Sequence, residues 1–401
     1  MKVAYYSPLP PSTSGIADYS ALLLPALSRR VEVETARRRR LRRAPQADVA
    51  LYHVGNDPEE HGWIVAAARR RPGIVVLHDF VLHHLVAGLT LARGDAGEYL
   101  DALEREQGLA GRLLGYAVID NRIPPLWETR PEAFPLVGEV LRLATGLIVH
   151  SHYVEDRARA AGFEGAIWRI PHPAWPTPEV EPGAVEGTPV FGCFGHLNES
   201  KRIPQLLTAF SRLRRTRPEA SLLLVGRASR RLDNLELPEG VTREHHVSEE
   251  RLWSLMAACD ACISLREPTM GETSGSAIRA LTLGKPLVVS DVGWFAELPQ
   301  EAALKVAPDE REVDALHAAL ELLAGNDGLR QAMGKAARGL ARGEHALEQV
   351  AERYAAALEE AAGGGAVQAA VLRDVAEAAA DVGLNKTGDL ARRLDEVGIG
   401  G

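Results

Sequence analysis

The sequence lacks any run of about 18 apolar residues, the length a membrane-spanning helix needs, so we predict no transmembrane segment. Cysteine is scarce: Cys193, Cys259 and Cys262 are too few for a disulfide framework and indicate a reducing compartment. Basic residues are outnumbered by acidic ones, and the net charge is −8. This charge excludes nucleic-acid binding through an overall basic surface. The opening residues, MKVAYYSPLPP, lack the apolar core of a signal peptide and read as a first strand. These absences favour a cytoplasmic protein.

Residues that commonly hold a metal ion are missing at the required spacing. Cys259 and Cys262 form a C-x-x-C pair, which can serve zinc binding or redox chemistry, but no second pair or histidine pair accompanies it. The pair spans a predicted helix end and strand start, where cysteine packs as a small apolar residue. No Asp-x-Asp motif is present either. We therefore predict no metal site and no bound cofactor.

What the chain does contain is two successive sets of alternating strands and helices. They are separated by a stretch rich in Pro and Glu, AWPTPEVEPGAVEG. This order predicts an α/β protein of two doubly wound, Rossmann-like domains facing across a cleft. We place the domains and connecting segments as follows: an N-terminal domain at 1–175, a linker at 176–187, a C-terminal domain at 188–345, a helix packing back on the N-terminal domain at 346–362, and an Ala-rich helical appendix at 363–401.

The chain is organised around the stretch from Leu265 to Pro299. A predicted strand is followed by the polar turn Gly271–Ser276, a helix that ends at Gly284, and a second buried strand. Small residues at a helix start leave N–H groups free for phosphate, and Glu272 in the same turn can accept hydrogen bonds from hydroxyl groups. That combination describes a nucleotide-sugar site. The alternative is an ordinary strand–helix turn, in which Gly and Ser serve geometry alone.

Polar residues follow several predicted strands. Asn56 and Asp57 follow the strand Val49–Val54, and His78 and Asp79 follow the strand Gly73–Leu77. Because ligands collect at the carboxyl ends of strands in open α/β sheets, these residues indicate a site. Lys201, near the start of another predicted helix, can reach a phosphate. The alternatives are a structural histidine and a solvated lysine.

A cluster of arginines, Arg37–Arg43, follows the second predicted strand. Six arginines in seven positions repel one another and stay hydrated. One interpretation is a patch for anionic lipid head groups, which predicts peripheral contact with a membrane. The other is a plain surface loop.

Several segments together resemble the retaining glycosyltransferases of family 4, which have the two-domain GT-B fold. The resemblance covers roughly Met1 to Ala362 and rests on the order and spacing of its motifs. The motifs, in chain order, are SPLPPSTSGIADYS, VLHDF, FGHLNESKRIPQLLTAF, SLLLVGR, HVSEERLWSLMAACDACISL and GETSGSAIRALTLGKPLVVSDVGWFAELP.

The resemblance implies that the N-terminal domain binds the acceptor and the C-terminal domain binds the nucleotide-sugar donor, and it implies a role for each matching residue. His78 and Glu272 would contact the transferred sugar at the reacting centre. The implied donor-diphosphate residues are Gly15, Lys201, Ser274, Gly275 and Ser276. The implied nucleoside residues are Gly226, Val247 and Arg279. The chain departs from the family at two places: His196 stands where an arginine is usual, and Arg279 stands where a ribose-binding glutamate is usual.

The function so implied is retaining, metal-independent transfer of a sugar from a GDP- or UDP-sugar to a saccharide or lipid-linked acceptor. Such enzymes serve the synthesis of cell-surface polysaccharide or glycolipid, here in the cytoplasm or at the inner face of the membrane. Two alternatives remain open: a nucleotide-sugar epimerase on the same fold, and a catalytically inactive subunit that binds sugar nucleotides.

Overall fold

The computed structural model describes residues 1–38, 45–245, 247–363 and Val375. Within them the chain forms two α/β domains, each built on a parallel six-stranded sheet, as the sequence predicts. Most of the arginine cluster, at 39–43, and all of the appendix except residues 363 and 375 lie outside the described residues. No helix among the described residues is long and apolar enough to cross a membrane.

The N-terminal sheet has the strand order β2-β1-β3-β4-β5-β6. Its strands are β1 (Lys2–Tyr6), β2 (Glu32–Thr35), β3 (Val49–Val54), β4 (Gly73–Leu77), β5 (Ala144–Val149) and β6 (Ala166–Arg169). The helices around it are α1 (Gly15–Leu27), α2 (Pro58–Ala68), α3 (His83–Leu89), α4 (Ala96–Ile119), α5 (Leu126–Thr129), α6 (Gly138–Leu143) and α7 (His152–Ala160).

The C-terminal sheet has the order β12-β11-β10-β7-β8-β9. Its strands are β7 (Val190–Phe194), β8 (Ser221–Val225), β9 (Val241–Glu244), β10 (Ala261–Ser264), β11 (Leu287–Ser290) and β12 (Ala303–Val306). The helices are α8 (Ile203–Leu213), α9 (Arg230–Asp233), α10 (Glu249–Ala258), α11 (Gly275–Leu283), α12 (Gly293–Glu297), α13 (Glu312–Ala324), α14 (Asp327–Arg342) and α15 (Leu347–Ala362).

The strands are buried because both faces of each sheet are covered by helices. β3 and β4 have no exposed residue and read as continuous apolar runs, as central parallel strands do. The strand order reverses between β1 and β3 in one sheet and between β7 and β10 in the other. A crevice forms outside the carboxyl ends of the strands at such switch points. The two crevices face each other, and the cavity described below lies between them.

The last described helix, α15, packs on α1 of the N-terminal domain. Val350, Tyr354 and Leu358 share a core cluster with Tyr19 and Leu23. The two tyrosine hydroxyl groups are 2.7 Å apart and hydrogen-bonded. The chain therefore crosses from the second domain back to the first before its described part ends.

Polar contacts also join the domains across the cleft. The N–H groups of His152 and Tyr153, at the start of α7, donate to the Glu297 carboxylate at 3.0 and 2.7 Å. The N–H groups of Phe80 and Val81 both donate to the carbonyl of Met270, at 2.7 and 3.0 Å. The two bonds to Met270 hold the turn before α11 against the end of β4.

Cys259 and Cys262 are buried in the core of the C-terminal domain. The Cys259 thiol donates to the carbonyl of Leu255 at 3.3 Å. Both side chains pack as small apolar groups.

Candidate active site

A cavity of about 270 Å³ lies between the two domains. The N-terminal domain contributes the start of α1 and the residues that follow β3, β4, β5 and β6. The C-terminal domain contributes the turn Glu272–Gly275 and one side chain of α11, that of Arg279. The cavity thus joins the carboxyl edges of both sheets.

Two helix N-termini meet at this cavity. Ser14 caps α1 through a hydrogen bond from the N–H of Ile16 at 3.2 Å, and Ser274 caps α11 through one from Ala277 at 3.3 Å. Gly15 and Gly275, the first residues of these helices, both line the cavity. The first N–H groups of a helix have no partner within it, and the helix dipole places positive charge there. Together the two ends make a favourable environment for an anion.

A buried lysine stands beside the start of α11. Lys201 is 5% exposed, and its ammonium group donates to the carbonyl of Phe194. An added Cβ at Gly195 would lie 3.1 Å from its Nζ and 3.9 Å from the Ser276 hydroxyl, so both groups flank the same glycine. Burial lowers the pKa of Lys201 to about 8. No carboxylate among the described residues pairs with it, so a positive charge is held ready for an outside anion.

Glu272 is held inside its own turn. One carboxylate oxygen lies 2.5 Å from Nε of Arg266, and the other accepts from the N–H of Met270 at 2.8 Å. The hydroxyl of Thr269 donates to that second oxygen at 3.2 Å. The side chain still lines the cavity. Because each oxygen has two lone pairs, the carboxylate can accept from a ligand without losing these bonds.

Asp79 faces the same cavity from the end of β4. Its carboxylate accepts a hydrogen bond from the N–H of Asn56 at 2.8 Å. Burial raises the pKa of Asp79 to about 7, and the neighbouring negative charge of Glu272 adds to the rise. A carboxyl group with such a pKa can either donate or accept a hydrogen bond near neutral pH.

Histidines stand at the ends of four neighbouring strands of the N-terminal sheet. His53 is the penultimate residue of β3, and His78, His150 and His172 follow β4, β5 and β6. His61 of α2 joins them. We call the four that line the cavity, His61, His78, His150 and His172, the histidine wall. The ring of Tyr19 lies at its centre, with ring centroids 4.7 Å from His78, 5.3 Å from His150 and 4.8 Å from His172.

The hydrogen bonds of the histidine wall determine which ring nitrogen carries the proton. Nδ1 of His61, His150 and His172 lies 3.1, 2.7 and 2.8 Å from a backbone carbonyl oxygen. A carbonyl only accepts, so each Nδ1 carries the proton and each Nε2 is an acceptor. Burial lowers the pKa of His61 and of His150 to about 4, and that of His172 well below its usual range. All three rings are therefore neutral near pH 7.

His78 differs from the other three. Its Nε2 lies 2.9 Å from Nδ1 of His53, so one of these nitrogens donates and the other accepts. Nε2 of His53 is buried without a partner among the described residues. An unpaired buried acceptor occurs more readily than an unpaired buried N–H, which assigns the proton of His53 to Nδ1. His78 then accepts at Nε2 and carries its own proton on Nδ1, as a donor.

Arg279 forms the opposite wall. Its guanidinium carbon lies 3.7 Å from the ring centroid of Trp175, and an Nη lies 3.3 Å from the Asp18 carboxylate and 4.0 Å from Glu249. Nε of the same side chain is buried without a partner among the described residues. The stacking holds the guanidinium group rigidly at the edge of the cavity.

The structure brings most of the predicted site residues together. Gly15, His78, Glu272, Gly275 and Arg279 line the cavity. Lys201, Ser274 and Ser276 lie next to it. A Cβ added at Gly15 would meet no described protein atom within 4 Å, so packing around that atom does not require a glycine there.

Gly226 and Val247 do not line the cavity. Gly226 follows β8 with φ of +138°, and an added Cβ would lie 2.1 Å from the carbonyl oxygen of Gly195, so packing of the strand ends requires a glycine. Val247 is partly buried against the core of its own domain.

Sequence reasoning did not single out several residues of the site. They are Tyr19, His61, His150, His172, Trp175 and Arg266. His150 and His172 carry a usable signal, since each follows a buried strand as His78 does. Arg266 and Trp175 carry none, because their partners Glu272 and Arg279 are reached only in the folded chain.

Residues 179–340 match the family model described as "Glycosyl transferases group 1". No curated protein sequence matches the chain significantly. Sucrose-phosphate synthase from Thermosynechococcus elongatus is 16% identical with a TM-score of 0.63, over 91% of this chain and 100% of that one. Anabaena HepE, solved with UDP and glucose, is 16% identical with a TM-score of 0.59, over 90% of this chain and 100% of that one.

The pneumococcal O-GlcNAc transferase GtfA, solved with UDP and GlcNAc, is more distant. It is 12% identical with a TM-score of 0.52, over 78% of this chain and 56% of that one. The structural likenesses confirm the predicted GT-B fold. The family match lies in the second domain and covers less than half of the chain, so that domain is similar to group 1 glycosyltransferases.

Proposed function

We propose that the protein is a retaining glycosyltransferase of the family 4 type, which moves a sugar from a nucleotide diphosphate sugar to a saccharide acceptor. The observation that carries the proposal is the position of the Lys201 ammonium group beside the N-terminus of α11. A buried ammonium group without a carboxylate partner in the described chain, beside unpaired N–H groups, is a binding site for a diphosphate. It lies next to a cavity lined by groups that bind hydroxyls.

In the proposed reaction, the bond between the sugar C1 and the diphosphate oxygen breaks, and the acceptor oxygen forms the new bond on the same face. The acceptor hydroxyl proton passes to the leaving phosphate. Lys201 and the N–H groups of Gly275 and Ser276 stabilise the negative charge that develops on that phosphate. No side chain is needed as a base, and no metal ion is needed for this charge.

The sugar of the donor is held between the domains in this proposal. His78 donates from Nδ1, and Glu272 accepts from a hydroxyl group through its remaining lone pair, on the oxygen that faces Arg266. Asp79, with its raised pKa, completes the set and can adapt to either role. Binding the sugar from both domains couples transfer to closure of the cleft.

UDP-sugars are the first donors to test and GDP-sugars the second. HepE and GtfA were both solved with UDP, and HepE also with UDP-glucose. Cell-surface polysaccharide or glycolipid synthesis in the cytoplasm is the proposed setting. Thermal-shift measurements with UDP, GDP and ADP select the donor base.

The deciding experiment incubates the full chain with the selected nucleotide sugar and a saccharide panel in chelator, and determines the product by NMR. We expect a glycoside with the anomeric configuration of the donor. An inverted product contradicts retention, and activity restored only by magnesium or manganese contradicts metal independence. Conversion of the donor sugar without any acceptor supports the epimerase, and a bound nucleotide with no turnover supports an inactive subunit.

We also propose that the Arg37–Arg43 cluster holds the enzyme at an anionic membrane near lipid-linked acceptors. Each arginine near such a surface contributes about 1 kcal/mol, and exposed charges are screened by salt. The test is sedimentation with anionic and neutral vesicles, using wild type and a variant with Arg38, Arg39, Arg40 and Arg42 changed to Ser. Vesicle binding that does not change with lipid charge, with salt or in the arginine variant contradicts the proposal.

A further inference from the structure

We propose that His61, His150 and His172 of the histidine wall form the acceptor subsite, and that the acceptor unit bound there is an uncharged, hydroxyl-rich saccharide rather than a phosphorylated or carboxylated one. The inference rests on the proposed function, because a subsite for an acceptor requires that a sugar is transferred. It goes further by naming the residues and the chemical class of the acceptor.

The first argument is the direction of the hydrogen bonds that the wall can make. His61, His150 and His172 have used their only proton on backbone carbonyls, so each can only accept from a ligand. Nε2 of His150 is buried without a partner among the described residues. A buried acceptor left unpaired costs free energy that a donor from a ligand recovers. Hydroxyl groups supply such donors, whereas ionised phosphate and carboxylate oxygens cannot.

The second argument is charge. Among the described residues of the N-terminal domain, the cavity lining includes Asp57 and Asp79 but no lysine or arginine. The histidines are neutral near pH 7 because burial and mutual repulsion lower their pKa values. An anionic group against these histidines would face acceptors and carboxylates, because the positive ends of α1 and α11 are occupied by the donor diphosphate in the proposed function. The cation of the opposite wall, Arg279, is already shared between Asp18 and Glu249.

A metal site is the rival explanation for clustered histidines. Across the parts of the chain that the structure describes, no group of three or more His, Cys, Asp or Glu side chains is arranged to share an ion. The carbonyl bonds of His61, His150 and His172 also hold their rings in place. The geometry therefore favours a hydroxyl-binding surface.

The test measures saccharide binding directly, by calorimetry on the full chain with saturating UDP. The probes are methyl glycosides of glucose, mannose, galactose and N-acetylglucosamine, each compared with its own 6-phosphate. We expect a neutral glycoside to bind at least about tenfold more tightly than its phosphate. A phosphate that binds as tightly as its neutral partner, or no binding by any neutral glycoside, overturns the proposal.

Variants then locate the binding. His150→Phe and His172→Phe should each weaken the neutral glycoside about fivefold to tenfold, the effect of removing one hydrogen-bond acceptor. His150→Gln, which restores a carbonyl acceptor, should recover part of the loss. The matched control is His83→Phe. His83 is also buried with Nδ1 on a carbonyl oxygen, but it lies in a separate core cluster behind the cavity. Losses equal to those of the control would show that the wall histidines act through structure alone.

UDP binding and turnover of UDP-glucose are measured on the same samples. If wild type binds saccharides through His150 but never binds or turns over a nucleotide sugar, the proposed function fails while the subsite stands. If donor turnover is normal and only the preference for neutral saccharides is absent, the acceptor proposal fails and the proposed function stands.

Discussion

At the scale of single residues, the site depends on a buried positive charge that has no carboxylate partner among the described residues. Lys201 is the clearest case, since burial lowers its pKa to about 8 and its hydrogen-bond partner is a neutral carbonyl group. Burying an unpaired ammonium group costs free energy, so a bound diphosphate recovers that cost. The lysine is thus prepared for a ligand that arrives from outside.

We predict that Lys201→Met weakens binding of UDP by about tenfold to a hundredfold, since a charge-assisted hydrogen bond is lost. Binding of uridine, which has no phosphate, should be nearly unchanged. Calorimetry with both ligands measures the difference. Lys285→Met is the control, because Lys285 also donates to a carbonyl, that of Ala257, but lies away from the cavity. Equal losses for UDP and uridine would show that Lys201 supports the fold instead.

Glu272 makes a second prediction possible at this scale. Glu272→Gln should lower the rate of transfer by about tenfold or more, because a charged acceptor for sugar hydroxyls becomes a neutral amide. The control is Glu312→Gln, which breaks the buried pair with Arg202 outside the cavity. Initial rates and unfolding midpoints are measured for both variants. A rate that stays at the wild-type value for Glu272→Gln would exclude the proposed role in sugar binding.

At the scale of elements, local sequence patterns predicted most helices and strands. The strands Val49–Val54 and Gly73–Leu77 and the helix Leu347–Ala362 have the bounds that the sequence gives. Each is a long apolar run or a periodic helix between turn residues, so neighbouring residues suffice. The short edge strand Val241–Glu244 was not predicted, since it is polar and its pairing with β8 is a tertiary contact.

The site is harder to predict because it depends on the lateral order of the strands. His53, His78, His150 and His172 are far apart in sequence and meet only because β3, β4, β5 and β6 are neighbours in the sheet. Sequence motifs identified His78 alone. The pairing of Glu272 with Arg266 likewise follows from the shape of the turn, which no residue pattern encodes.

The contact between α1 and α15 supplies a prediction for elements. Tyr354→Phe leaves the buried Tyr19 hydroxyl without its partner and should lower the free energy of unfolding by about 1 to 2 kcal/mol. The double change with Tyr19→Phe removes both hydroxyls and should cost less than the two single changes together. Denaturant unfolding of the three variants measures the coupling. Strict additivity would contradict a direct bond between the two helices.

At the scale of the whole molecule, buried histidines make stability depend on pH. His53, His61, His78, His150 and His172, with His83 and His345, have pKa values below the ordinary value because burial disfavours the charged ring. In the unfolded chain each of these histidines takes up a proton at about pH 6.5. The folded protein takes up these protons only at lower pH. Acid therefore favours unfolding.

We predict that the free energy of unfolding changes little between about pH 7 and about pH 8, above which the lowered pKa of Lys201 makes it rise, and falls steeply as the pH drops from about 6.5 towards about 4. Each histidine contributes up to about 1.4 kcal/mol per pH unit in that window. Asp79, with its pKa raised to about 7, acts in the opposite sense, as do Glu106 and Glu267, whose pKa values burial also raises, but these carboxyl groups are fewer than the histidines. Denaturant midpoints across this range measure the slope of the unfolding free energy against pH. His83→Phe should reduce the number of protons taken up on unfolding by about one. A flat profile would contradict neutral histidines in the core.

The Glu297 carboxylate that caps α7 has a consequence for timing. The amide hydrogens of His152 and Tyr153 are bonded to a carboxylate of the other domain, so they can exchange with deuterium when the domains separate. Their exchange rates therefore count openings of the cleft, at a place outside the cavity that no substrate needs to touch. A ligand that bridges the domains slows both amides together, while a ligand held by one domain leaves them unchanged. The deuterium exchange rate of these two amides therefore measures how often the cleft opens to admit and release a ligand.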